Sequence, residues 1–89
     1  MKKIYKYKLL TTSTTLDLPL NGNVIKVDVQ NDEVCIWVLF HEEDEKNTEP
    51  RKFQIVGTGE PFDAEHRLMY LDSVQQGPFV WHIFEEYDQ

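Results

Sequence analysis

Apolar and polar side chains alternate with a period of two along most of the chain. Tyr5, Tyr7 and Leu9 share one parity and Lys6 and Lys8 take the other, the pattern of a strand with one wet face. Leu16, Leu18 and Leu20 then alternate with Asp17 and Pro19, and Pro19, which has no N–H to donate, confines that piece to a sheet edge or an extended connection. Asn21-Gly22-Asn23 reads as a turn. Ile25, Val27 and Val29 oppose Lys26, Asp28 and Gln30, and Asn31-Asp32 separates them from Glu33 to His41, which predicts a hairpin. Cys35 to Phe40 is apolar at both parities, the mark of a central strand covered on each side. Glu42 to Pro50 is a charge-dense, solvated loop. Arg51 to Gly57 is a strand, stopped by Gly57-Thr58-Gly59. Residues 60–67 form an irregular loop with room for one helical turn at 63–67. Leu68 to Val74 is a short strand, Gln75 to Pro78 a turn, and Phe79 to Phe84 a second central strand. The fold class is all-β: a compact antiparallel sandwich or partly closed barrel of six or seven short strands, one domain over residues 1–89.

Eighty-nine residues leave no room for a second core. The net charge of -7 is unevenly divided. Residues 1–30 hold five lysines against two aspartates, and the remainder holds four cations against fourteen carboxylates. Such a surface repels phosphate backbones, so bulk DNA or RNA is excluded as a partner unless the lysines collect on one face. It suits solubility, or the basic patch of a partner protein. No apolar run approaches the roughly 20 residues of a membrane span, and Lys2 and Lys3 are not followed by an apolar leader segment. With Cys35 the single cysteine, these features predict a cytoplasmic protein that does not engage membrane. Eleven aromatic residues exceed what one thin core can hide, which predicts a homo-oligomer, a dimer or a tetramer.

Motifs for chemistry are sparse. His41, His66 and His82 lie 25 and 16 residues apart and match no zinc pattern, and no nucleophile elbow is present. The chain therefore reads as a non-enzyme without metal or cofactor, with Cys35 a small core residue. Gly57-Thr58-Gly59 lacks the spacing and ending of a P-loop, yet its amides can approach an anion closely, with Arg51, Lys52 and Arg67 near in sequence. A strand-ending bulge that needs glycine is the structural alternative. Aromatic side chains beside basic ones also suit stacking on a nucleobase.

In residue order the chain resembles a family of small accessory proteins encoded by phages and mobile elements. The resemblance runs through Ile4-Tyr5-Lys6-Tyr7, Leu16-x-Leu18-Pro19, Ile25-x-Val27-x-Val29-Gln30-Asn31 and Cys35-Ile36-Trp37-Val38-Leu39. It continues through Arg51-x-Phe53-x-Ile55-x-Gly57-Thr58-Gly59, Leu68-x-Tyr70-Leu71 and Phe79-Val80-Trp81-His82-Ile83-Phe84-Glu85. The family pattern often has histidine after the glycine pair, where Glu60 stands here. What the resemblance implies is an antagonist of bacterial immunity in the host cytoplasm, of the sponge type that sequesters a cyclic nucleotide signal. Tyr5, Tyr7, Arg51, Gly57, Thr58, Gly59, Arg67 and Trp81 are the candidate ligand-binding residues. Charge reversal at Arg51 or Arg67 is expected to abolish nucleotide binding and spare stability. The alternative is an acidic inhibitor that contacts a host-defence protein through Glu42 to Glu49.

Overall fold

The computed structural model describes residues 1–63 and 67–87. Seven strands follow in chain order: β1 (Lys2–Lys8), β2 (Ser13–Pro19), β3 (Asn23–Gln30), β4 (Glu33–His41), β5 (Thr48–Gly57), β6 (Arg67–Gln76) and β7 (Phe79–Tyr87). They form two antiparallel sheets, β1-β4-β3 and β2-β5-β7-β6, neither closed into a barrel. The fold is an all-β sandwich. The only helical piece among the described residues is a 3-10 turn, Glu42–Asp44, and no helix there is long and apolar enough to cross a membrane.

Alternation explains the core. Val34, Ile36 and Val38 of β4 face Phe53 of β5 and Ile83 of β7, with Leu18, Val27 and Val74 closing the sides. The β3–β4 hairpin turns at Asn31 and Asp32, whose φ angles of 52° and 63° are those of a two-residue turn that Asn and Asp tolerate. β4 is central in its sheet and β7 is flanked by β5 and β6.

Three details depart from the sequence pattern. Ile25 does not share a face with Val27 and Val29: the register slips between Val24 and Lys26, Val24 packs inward, and Ile25 stands half-exposed on the bulge. β5 begins at Thr48 and so includes Pro50, which opposes Asp17 of β2. Proline is tolerated there because pairing with β7 starts only at Lys52. The outward side of β4 has no second layer. Trp37 lies between Lys6 and Lys26 in register, and Cys35, between Lys8 and Asp28, is still only 1% exposed. The one-turn helix predicted at 63–67 falls largely on residues 64–66, outside the described residues, as does His66.

Candidate functional site

A strand advances about 3.4 Å per residue, so Arg51 and Gly57, six positions apart on β5, are separated by roughly 20 Å. That distance decides the fate of the expected pocket. Gly57 pairs with Trp81 near the start of β7, whereas Arg51 joins Glu85 near its far end. Arg67 opposes Tyr87, also at the far end, while Gln76 at the other end of β6 opposes Phe79. Tyr5 and Tyr7 belong to β1, on the opposite sheet. The structure brings together Gly57, Thr58 and Trp81, with Gly59 adjoining, and leaves the other four candidates elsewhere.

Arg51 is not a free cation. Its Nε and Nη2 donate to Glu85 Oε2 and Oε1 at 2.6 and 2.8 Å, and its Nη1 donates to the Gly22 carbonyl at 2.6 Å. Glu85 is 6% exposed. The pair ties β5 and β7 to the turn before β3, and Glu85 first of all holds the guanidinium above its ordinary pKa. Tyr5 is likewise engaged: it donates to Glu45, which Lys3 Nζ also contacts at 2.7 Å, and its ring meets Phe40 edge-on. These two hydrogen bonds, Lys3's first, hold the Glu45 carboxyl below its ordinary range. Burial raises Tyr7.

The glycine step is a turn. Glu60 N–H donates to the Gly57 carbonyl at 3.0 Å, and Gly59 adopts φ 87° at the third position. The anion predicted at its amides is supplied by the chain itself: Gly57 N–H donates to Glu60 Oε1 at 2.6 Å. A Cβ on Gly57 would sit 2.6 Å from that oxygen, so glycine is what lets the carboxylate in. The Thr58 amide donates to Val80 O at 3.1 Å, lengthening the β5–β7 ladder. An external phosphate would have to displace Glu60.

Around this turn lies an aromatic end of the sandwich. Phe79 stacks on Trp81 with centroids 5.5 Å apart and planes 23° from parallel, and is 57% exposed. Trp81 Nε1–H donates to Gln76 Oε1 at 2.9 Å, and Gln76 Nε2 donates to the Asp32 carbonyl at 2.6 Å, which locks the β6–β7 and β3–β4 turns together. Trp81 forms the wall between two clefts. One, about 450 Å³, holds Gly57, Glu60, Phe79 and Val80; the other, about 250 Å³, holds Leu10, Asp32, Glu33 and Ile55. Neither is lined by lysine or arginine. Sequence reasoning missed Phe79, Leu10 and Glu60. The signal available was an aromatic directly after the Gly77-Pro78 turn, where a side chain of core parity outruns the core.

On the outer face of β2-β5-β7-β6 the segment after Gly57 folds back, placing Phe62 against Phe84 at 5.5 Å. Beside it His82 bridges two hydroxyls, Thr58 Oγ1 at 2.7 Å from Nε2 and Tyr70 Oη at 2.9 Å from Nδ1. A phenol is a weaker partner for an imidazolium than a carboxylate, so this chain braces the loop on the sheet better than it arms a nucleophile. Among the described residues, no three His, Cys, Asp or Glu side chains converge as metal ligands.

No curated protein and no solved structure matches the chain. The match that exists is to a family: over residues 1–89, from the β1 lysines through the aromatic turn end to the last strand, the sequence fits the Domain of unknown function DUF7352, and the chain belongs to that family.

Proposed function

We propose that this protein acts by binding and not by chemistry, and that its turn end docks a cationic, apolar segment of a partner protein. The observation that carries this is the pair of clefts around Trp81. Exposed Phe79 and Leu10 offer apolar area, Asp32 and Glu60 supply negative charge, and no cation lines either cleft. Aromatic side chains that become desolvated inside a polar rim are the usual anchors of a protein interface. The acidic inhibitor reading is thus kept, but moved from Glu42–Glu49, where Lys3 already engages Glu42 and Glu45. The same patch is the surface through which two copies would meet. Antagonism of a bacterial defence protein is the setting that the resemblance in residue order supports.

A cyclic nucleotide finds a stacking platform at Phe79 and Trp81 but no cation beside it, since Arg51 and Arg67 stand at the other end of the sheet. The test sets the two ligands side by side. A synthetic peptide of alternating lysine and leucine should shift the Trp81 indole N–H resonance, and Phe79→Ser or Glu60→Lys should abolish the shift. A panel of cyclic di- and trinucleotides should leave the melting curve unchanged. Stabilisation of about 2.7 kcal/mol by one nucleotide at 100 times its dissociation constant, lost in Phe79→Ser, would restore the sponge reading at this end and sink this one.

A further inference from the structure

Four of the five lysines of the N-terminal third collect on one face. In register, Lys6 and Lys26 flank Trp37 of β4, Lys8 flanks Cys35, and Lys2 opposes His41, so these four point to the outer side of β1-β4-β3, while Lys3 takes the other parity and joins Glu42 and Glu45. Lys2, Lys6 and Lys8 line the β1 edge over roughly 20 Å, given about 3.4 Å per residue. The carboxylates on this side are Asp28 and Glu33, each held by a lysine of the same face, Lys26 at 3.7 Å and Lys8 at 3.1 Å, and at the rim Glu43, 3.9 Å from His41 Nδ1. Four lysines against three carboxylates leave it net positive on a chain of net charge -7. At its centre the Lys26 ammonium stands 5.1 Å from the centroid of the Trp37 ring, with Ile4 and Leu39 as the neighbouring row.

We infer that this sheet face binds a short stretch of single-stranded nucleic acid, with phosphates along the lysines and a base over Trp37. A cationic track around an aromatic plane is the recurring chemistry of such sites, and stacking tolerates any base. Lys26 covers the ring in the free protein, but its side chain and that of Asp28 are more than half exposed. An exposed pair of this kind holds its geometry weakly, so the ammonium can turn from the ring to a phosphate. A second copy is disfavoured as occupant, because a twofold contact here would set Lys6 and Lys26 against themselves. The face lies on β1-β4-β3 and does not rest on the docking reading of the turn end.

The experiment is fluorescence anisotropy of a labelled oligothymidylate with the whole chain at low salt. Binding is expected, with a logarithmic salt slope of about -2 to -3 for three or four neutralised phosphates. Lys6→Glu with Lys26→Glu should weaken it at least about tenfold, and Trp37→Leu should weaken it with little change in slope, since the ring supplies stacking and not charge. Lys46→Glu, in the acidic loop, should leave it unchanged. No binding at low salt, or equal loss in the Lys46 variant, overturns the proposal. Equal affinity for polyglutamate, insensitive to Trp37→Leu, overturns it in favour of an acidic polypeptide.

Discussion

Glu85 is a buried charge, and its consequence at the residue scale is large. A carboxylate 6% exposed is tolerable only because Arg51 donates to both of its oxygens. Removing one partner strands the other's charge, so Glu85→Gln should destabilise by about 3 to 5 kcal/mol in urea unfolding. Lys8→Gln, which breaks an exposed pair with Glu33, should change stability by no more than about 1 kcal/mol. Charge reversal at Arg51 therefore falls in the destabilising class, contrary to what its sequence position led us to expect. Lys3, Tyr5 and Glu45 make a surface clamp with its own pH window. The depressed Glu45 carboxyl contributes above the ordinary carboxylate pKa, and that contribution is lost as pH falls through its lowered value. Lys3 and Tyr5 are both raised, chiefly by hydrogen bonds to Glu45, so their part is present below their ordinary values and lost as pH rises through the raised ones. Titration of the Tyr5 ring signals should show a midpoint above that of free tyrosine, and Glu45→Gln should lower it. An unchanged midpoint would dissolve the clamp.

Among elements, the β3–β4 hairpin separates what local sequence encodes from what it does not. Asn31 holds φ 52°, a conformation that costs most L-residues roughly 1 to 2 kcal/mol and costs asparagine less. Asn31→Ala should therefore lose about 1 kcal/mol of stability, and Asn31→Gly should lose little or none, by thermal melts of the two variants. That turn was readable because Asn-Asp sits directly between two alternating runs, and the central places of β4 and β7 were readable from apolar residues at both parities. The bulge at Ile25 was not, since Val24 and Ile25 are equally apolar and only pairing with β4 chooses between them. Pairing also hid the site. Residues 34 apart in sequence meet as Arg51 and Glu85, while Arg51 and Gly57, six positions apart on β5, lie roughly 20 Å from each other. An extended strand spends about 3.4 Å on every residue, so a few positions of separation already exceed the reach of one pocket, and the expected nucleotide pocket was assembled from such neighbours in sequence. The return of Phe62 onto Phe84 is another tertiary choice, made by a loop without periodicity.

On the scale of the whole molecule, charge is sorted by surface: positive on the outer side of β1-β4-β3, negative at the turn end and over most of the remainder. This sorting separates two fates of the aromatic patch by their response to salt. A basic partner is drawn to Asp32 and Glu60, and screening weakens that attraction. A second copy meeting the patch about a twofold axis brings the same two carboxylates against their own images. Its apolar gain from Phe79, Leu10 and Val80 is opposed by repulsion that salt removes. The screening length shortens from about 10 Å at 0.1 M to about 3 Å at 1 M salt, so self-association should strengthen over that range as partner binding declines. Light scattering at neutral pH should show the mean mass rising from near 10.6 kDa toward twice that value as salt is raised. Phe79→Ser should stay at the lower mass throughout, because it removes the apolar gain and leaves the charges in place. A mass of 10.6 kDa at every salt concentration would show that the aromatic end does not pair with itself, and the homo-oligomer would fall.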